Sequence, residues 1–142
     1  MRYLFLFAIV FLFIGKGIAA ETLNGTIVGV TDGDMVKLLT ADKREVKIRL
    51  YGVDAPEKAQ AFGQKAKQFS SELVFGKEAQ VEVIDIDRYG RSVGLVRMGE
   101  GGATLNERLI ESGFAWRYPQ YCKKEPLCTN LAALEKDARA KQ

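Results

Sequence analysis

Residues Glu45–Tyr51 read EVKIRLY, so Val46, Ile48 and Leu50 fall on one face of an extended chain and Lys47, Arg49 and Tyr51 on the other. This alternation predicts a half-buried strand and excludes a helix over the same stretch. Two β-rich runs precede it, Gly25–Val30 and Met35–Leu39, split by Thr31-Asp32-Gly33-Asp34, a tight-turn signal. With polar Thr40–Arg44 as the second turn, the three runs form a meander. Gly52–Glu57 breaks the pattern with glycine and proline. Over Phe62–Phe75 the period lengthens: Phe62, Ala66, Phe69 and Leu73 predict a helix, and Gly76 stands where a helix stops. Gln80–Ile84 and Ser92–Met98 return to strand character around Asp85–Arg91. Thr104-Leu105-Asn106-Glu107 fits a capping box opening a helix that ends at Gly113, and Thr129–Arg139 predicts a last helix with Leu131, Leu134 and Ala138 on one side. Five strands with a helix between the third and fourth is the element order of an OB-fold. The expected class is α+β, rich in β: a five-stranded OB-fold barrel with three α-helices.

The sequence has 142 residues, which fits one domain. Its first twenty carry a different signal. Arg2 is followed by an almost unbroken apolar run, Tyr3–Gly15, then Gly17-Ile18-Ala19-Ala20 and a polar Glu21. A basic start, an apolar core and small residues at a cut site describe a signal peptide. The run is shorter than the ~20 residues a spanning helix needs. Residues 1–20 are therefore read as a signal peptide cut after Ala20, with Ala19 as second choice, and 21–142 as the folded domain. A retained anchor is the alternative, since Lys16 is unusual in such a segment. The protein is expected to be exported, periplasmic or secreted, with no stable membrane association after cleavage. Cys122 and Cys128, around Pro126, fit this compartment. There the pair is most simply one disulfide; two free thiols are the cytosolic alternative.

Histidine is absent. That excludes Ser-His-Asp hydrolases, Cys-His proteases, HExxH zinc proteases and nucleases with a histidine base. Acid–base chemistry must come from Asp, Glu, Lys, Tyr or a bound metal. Without residues 1–20, which hold Arg2 and Lys16 but no acid, 19 basic residues face 18 acidic ones. A polyanion would have to be met by locally grouped arginines, not by overall charge.

Three groups could carry chemistry. Asp32-Gly33-Asp34 is by itself an ordinary hairpin turn, but Asp34, at the start of a strand, could aim a carboxylate at a metal. Asp54 and Glu57 could cap a helix; equally, they lie on an irregular segment just past the strand that carries Arg49. Carboxylates with a backbone carbonyl and water make hard-oxygen ligation, suited to Ca²⁺ or Mg²⁺. Asp87-Arg88-Tyr89-Gly90-Arg91 could be a charged hairpin tip; alternatively, Arg91 forks a phosphate and Tyr89 offers a face for a base or sugar. Together the groups supply what phosphodiester hydrolysis needs without histidine. A divalent cation and two guanidiniums offset the charge of the five-coordinate transition state, and Glu57 is left to activate water.

These residues resemble the staphylococcal nuclease (thermonuclease) family. The matching pieces are Gly29-Val-Thr-Asp-Gly-Asp34, Arg49-Leu-Tyr-Gly-Val-Asp-Ala-Pro-Glu57, Tyr89-Gly-Arg91, and Leu105-Asn-Glu107 with Gly113-Phe-Ala-Trp116. They stand in family order from about Asn24 to Arg139. The resemblance implies a Ca²⁺-dependent nuclease acting on DNA and RNA, cleaving the bond to the 5′ oxygen and leaving 3′-phosphates. It implies Asp34 and Asp54 as metal carboxylates, Ala55 as the donor of a backbone carbonyl to the metal, and Glu57 as the residue acting on the attacking water. Arg49 and Arg91 match the phosphate-binding arginines. Tyr89 is the candidate stacking face; Tyr118 matches a tyrosine that contacts the terminal phosphate or base, with Tyr121 the competing position. The Cys122/Cys128 pair looks like an insertion of exported bacterial relatives. A monomer is expected, with no protein partner.

Two departures stand out. Met35 replaces the threonine usual after Asp-Gly-Asp, and a thioether is a poor partner for a hard cation's shell. Glu57 is also followed almost at once by the Phe62 helix, where the type member has a longer mobile loop. Two other readings compete: a non-catalytic nucleic-acid-binding OB module, and an envelope structural or adaptor protein. The retained charged set and the near-zero net charge disfavour the first.

Overall fold

The computed structural model describes residues 20–141. The signal-peptide reading therefore lies outside the described residues, except for Ala20. Among the described residues no helix is long and apolar enough to cross a membrane.

The strands β1 (Glu21–Asp32), β2 (Met35–Thr40), β3 (Glu45–Leu50), β5 (Glu78–Ile86) and β6 (Ser92–Arg97) close a barrel in the order β1-β2-β3-β6-β5. All pairs are antiparallel except β3 with β6. The helices are α1 (Gly63–Val74), α2 (Leu105–Glu111) and α3 (Leu127–Ala140). This is the OB-fold architecture expected from the element order.

The first strand is twice the length that its β-branched core suggested. It pairs with β5 through its first half and with β2 through its second, and closure depends on both. Irregular register at Ile27/Gly29 and Val30/Asp32 bends it around the barrel. Gly25 sits at the crossover, where a Cβ would lie 2.2 Å from the Leu39 carbonyl oxygen. Ile27, Val36, Leu38, Ile48, Leu50, Val81 and Val96 fill the interior, and Leu105, Leu109, Ile110 and Leu131 of α2 and α3 extend the core.

The capping box forms as read: the Thr104 hydroxyl accepts the Glu107 N–H while Glu107 reaches back to the Thr104 N–H. Asn106 beside it is fully buried and pins α2 to the barrel. Its amide donates to the carbonyls of Tyr51 and Gly94, and its oxygen accepts the Val96 N–H.

Tyr51 corrects the simple alternation. The pattern put it on the outward face with Lys47 and Arg49, yet it is buried. The strand ends at Leu50, and the loop after Tyr121 folds over the ring, so that the Tyr51 hydroxyl accepts the N–H groups of Lys123 and Lys124. A disulfide joins Cys122 to Cys128 and closes this loop. The loop-entropy argument gives such a short ring about 2 kcal/mol of stabilisation. The sequence also hid a small sheet: β4 (Val53–Asp54) pairs with β7 (Trp116–Arg117), and two residues are too few to show a period.

Candidate active site

The tight turn between β1 and β2 carries Asp34. α1 packs directly on that turn, with the Ser70 hydroxyl donating to the Gly33 carbonyl at 2.6 Å. Asp34 is only 2% exposed as a result. Its Oδ2 accepts the Ala55 N–H at 3.0 Å and pairs with Arg49 Nη1 at 2.9 Å. Burial pushes the Asp34 carboxyl above the ordinary carboxylate value. The Arg49 guanidinium, the Ala55 N–H and the residue's own N–H pull it down, while nearby Asp54 adds to the rise.

Arg49 leaves β3 on the face opposite the core and reaches both carboxylates. Its Nη2 donates to Asp54 Oδ1 at 3.0 Å and to the Val53 carbonyl at 3.3 Å. Asp54 is fixed by its place in β4, opposite Trp116. One guanidinium thus gathers the two candidate metal carboxylates. Without Arg49 the two would simply repel; as arranged, its charge lies between them and offsets part of theirs. A guanidinium has five N–H donors and these contacts use three, so the Nε–H and one Nη1–H are left for an anion.

Arg91 approaches from the β5–β6 hairpin. Its Nε donates to Asp87 Oδ2 at 2.6 Å, and its Nη1 lies 3.5 Å from Met35 Sδ. Asp87 Oδ1 also accepts the N–H groups of Tyr89 and Arg91, which shapes the tip. Slight burial that would raise the Asp87 carboxyl is outweighed by these N–H groups and by the Arg91 side chain, so it is held below the usual range. Asp87 therefore contributes stability above the carboxylate value of an unfolded chain and loses it as pH falls through the lower folded value. Asp87→Asn is expected to cost about 1 kcal/mol or less at pH 7. Urea melts of both proteins from neutral pH down to pH 2 should converge at the acid end.

Tyr89, 68% exposed, lies beneath both Arg88 and Arg91, whose guanidinium carbons are 5.0 and 5.2 Å from its ring centre. Tyr118 and Tyr121 pack edge to face, with ring centres 4.8 Å apart. The Tyr118 N–H is held by the Gly52 carbonyl, which places both tyrosines at the end of β3. Arg49, Asp54, Tyr89, Arg91, Tyr118 and Tyr121 share one open cavity of about 580 Å³.

Glu57 is not part of that wall. It lies exposed on the loop after Ala55, and its N–H is taken by the Gln60 side chain. The helix cap that Asp54 and Glu57 might have formed is absent, because α1 starts at Gly63 with Phe62 as its N-cap. Among the described residues no three Asp, Glu, Cys or His side chains converge closely enough to hold a metal ion by themselves. The three acidic candidates thus stand as an Arg49-bridged pair, Asp34 and Asp54, and a separate, exposed Glu57.

Sequence reasoning gave no role to Asp87, and read Met35 only as a poor neighbour for a metal's shell, not as a partner of Arg91. Asp87 had a signal in its four-residue spacing from Arg91. Met35 did not, since its contact with Arg91 depends on how the β5–β6 hairpin folds back over β2.

Paired guanidiniums, acidic residues and stacking aromatics at the end of an OB barrel define an enzyme that acts on phosphodiesters. Comparison with known proteins agrees. The family model described as "Staphylococcal nuclease homologue" matches residues 47–142. The micrococcal nuclease of Shigella flexneri is 37% identical over 123 residues, covering 82% of this chain and 69% of that protein. Protein ParB of Escherichia coli is 35% identical over 127 residues, covering 84% and 70%. An uncharacterized endonuclease of Escherichia coli O157:H7 is 34% identical over 131 residues, covering 92% and 81%. The chain belongs to the staphylococcal nuclease family. It is a nuclease, a hydrolase of phosphodiester bonds.

Proposed function

We propose that this nuclease is exported, depends on Ca²⁺, and hydrolyses DNA and RNA to products with 3′-phosphate ends. The observation that carries the reading is the single Arg49 guanidinium that pairs with buried Asp34 and with Asp54, and that lines with Asp54 the cavity Arg91 also lines. Export is supported by the apolar leading segment and by the disulfide.

The donor set fits a hard cation: carboxylates of Asp34 and Asp54, the carbonyl of Ala55, and water. Bound there, calcium would screen the phosphodiester charge and favour attack by water. The protein's own groups do the rest. Arg91 is braced by Asp87 through Nε; Nη2 has no protein partner among the described residues and is available to a phosphoryl oxygen. Arg49 presents its remaining N–H groups to the same phosphate. Glu57 takes a proton from the attacking water. The bond to the 5′ oxygen breaks, and the departing oxygen is protonated from solvent. Tyr89, Tyr118 and Tyr121 give faces against which bases and sugars stack without sequence preference.

The test incubates the purified, oxidised protein with linear single-stranded DNA or RNA, in calcium, in magnesium and in chelator, beside Glu57→Ala and Arg91→Ala. Calcium-dependent cleavage that leaves 3′-phosphates and is lost in both variants is the expected result. Retention of nucleic acid on a gel without cleavage would instead make the chain a binding module with a decayed site.

A further inference from the structure

Glu57 is the one proposed catalytic side chain that lies outside the cavity wall and is exposed, so something must hold it in place. The segment that follows it is unusually closed. The Gln60 side-chain oxygen accepts the Glu57 N–H at 2.8 Å, and the Gln60 N–H donates back to the Glu57 carbonyl at 2.8 Å. Gln60 is therefore bonded to both the amide and the carbonyl of Glu57. The Gly63 N–H then donates to the Gln60 carbonyl at 3.0 Å. Gly63 opens α1 and lies so close that a Cβ there would sit 1.8 Å from the Glu57 carbonyl oxygen and 2.5 Å from its carbon. Its φ is not positive, so close approach, not backbone conformation, demands glycine. Phe62 just before it does have positive φ, 62°, and its ring is 70% exposed. The left-handed turn there is not explained by burial of the side chain. It turns the chain so that Gly63 lands on Glu57.

The same loop is tied on its other side. The Lys58 N–H donates to Asp32 Oδ1 at 2.9 Å, linking the segment to the turn that carries Asp34. α1 packs against both: Ser70 holds Gly33, and Gly63 meets Glu57. One helix therefore sets the turn of Asp34 and the loop of Glu57 relative to each other.

We infer that Gln60 and Gly63 are positioning residues for Glu57, fixing its backbone and so the point from which its carboxylate reaches toward the phosphate site. The inference rests on Glu57 as the residue that activates water. A preorganised base costs no reorganisation when the reaction occurs, and a misplacement of about 1 Å can cost a hundredfold in rate.

The test uses Gln60→Ala, Gln60→Glu and Gly63→Ala, each alone and combined with Glu57→Gln. Steady-state hydrolysis of linear single-stranded DNA in calcium gives kcat and KM. Thermal melting and amide exchange at Glu57 follow the metal-free protein. Gly63→Ala should lower kcat about a hundredfold. Gln60→Ala, which removes no core contact, should lower kcat about tenfold, with KM and the melting midpoint nearly unchanged and faster exchange at the Glu57 amide. Gln60→Glu, which keeps the acceptor oxygen, should restore most of kcat. None should lower the residual rate of Glu57→Gln further. Folded Gln60→Ala and Gly63→Ala proteins with parental kcat would overturn the inference. So would losses undiminished in the Glu57→Gln background. Full activity of Glu57→Gln alone would overturn the reading of Glu57 itself, a separate failure.

Discussion

Arg91→Lys is expected to lower kcat/KM on single-stranded DNA by about a hundredfold or more, the usual loss when one positioned transition-state donor is removed. The melting midpoint should stay close to the parent's. The reason is in how Arg91 spends its donors. Nε is committed to Asp87 at 2.6 Å and Nη1 leans on the Met35 sulfur at 3.5 Å, so the plane of the guanidinium is set before substrate arrives. The remaining N–H groups form a fixed fork, matched to two phosphoryl oxygens. A lysine ammonium is a point donor. It would have to choose between Asp87 and the phosphate, and could not be braced by one edge while binding through the other. Stability should barely respond, because the side chain is partly exposed and an ion pair of this kind is worth little. Initial rates over a range of substrate, with a thermal melt of each protein, decide the matter. An Arg91→Lys enzyme with near-parental kcat/KM would remove the bidentate argument and leave only net charge at that position.

Where the sequence was legible, one physical rule dominated each region. Alternation at Glu45–Leu50 marks the third strand, and the Thr104/Glu107 pair marks the start of α2. Both signals are local. The Asp34, Asp54, Arg49 and Arg91 set was legible because turn, strand end and hairpin each left a short cluster of functional residue types. What stayed hidden depends on contacts between distant segments. Tyr51 reads as outward from its neighbours, and only the loop around Cys122 buries it. The pairing of Val53–Asp54 with Trp116–Arg117 has no period to detect. Arg49 reads simply as a phosphate ligand; that it also bridges two carboxylates follows from the register that sets Met35 opposite Arg49 at the mouth of the β1–β2 turn. Gln60 looks like an ordinary loop residue, and Gly63 like an ordinary residue of the first helical turn, until the loop closes on Glu57.

Asp34→Asn is expected to be more stable than the parent without metal and less stable than the parent in calcium. Asp34 lies buried, and burial raises its carboxyl more than Arg49 and the Ala55 N–H lower it. A group whose folded value exceeds its unfolded one favours the folded state most at low pH and loses that contribution as pH rises through the folded value. At pH 7 the metal-free protein therefore carries the cost of an ionised, desolvated carboxylate. Asparagine keeps an oxygen for the Ala55 N–H and removes the charge. Arg49 loses one partner but retains Asp54. The metal-free variant should be more stable than the parent at pH 7, because the desolvation cost at Asp34 is removed while partly exposed Arg49 keeps Asp54 and is not left unpaired. The difference should shrink as pH falls and Asp34 becomes protonated. Calcium acts in the opposite sense. At a hundredfold excess over its dissociation constant it should stabilise the parent by about 2.7 kcal/mol, and should do little for a variant that has lost a carboxylate ligand. Denaturant melts of both proteins, in chelator and in calcium, at pH 7 and near pH 4, test each part separately. A variant that is less stable than the parent in chelator would show that Arg49 outweighs desolvation at Asp34. An undiminished calcium response in the variant would remove Asp34 from the metal site. If both parts hold, the protein trades metal-free stability for a carboxylate that binds calcium.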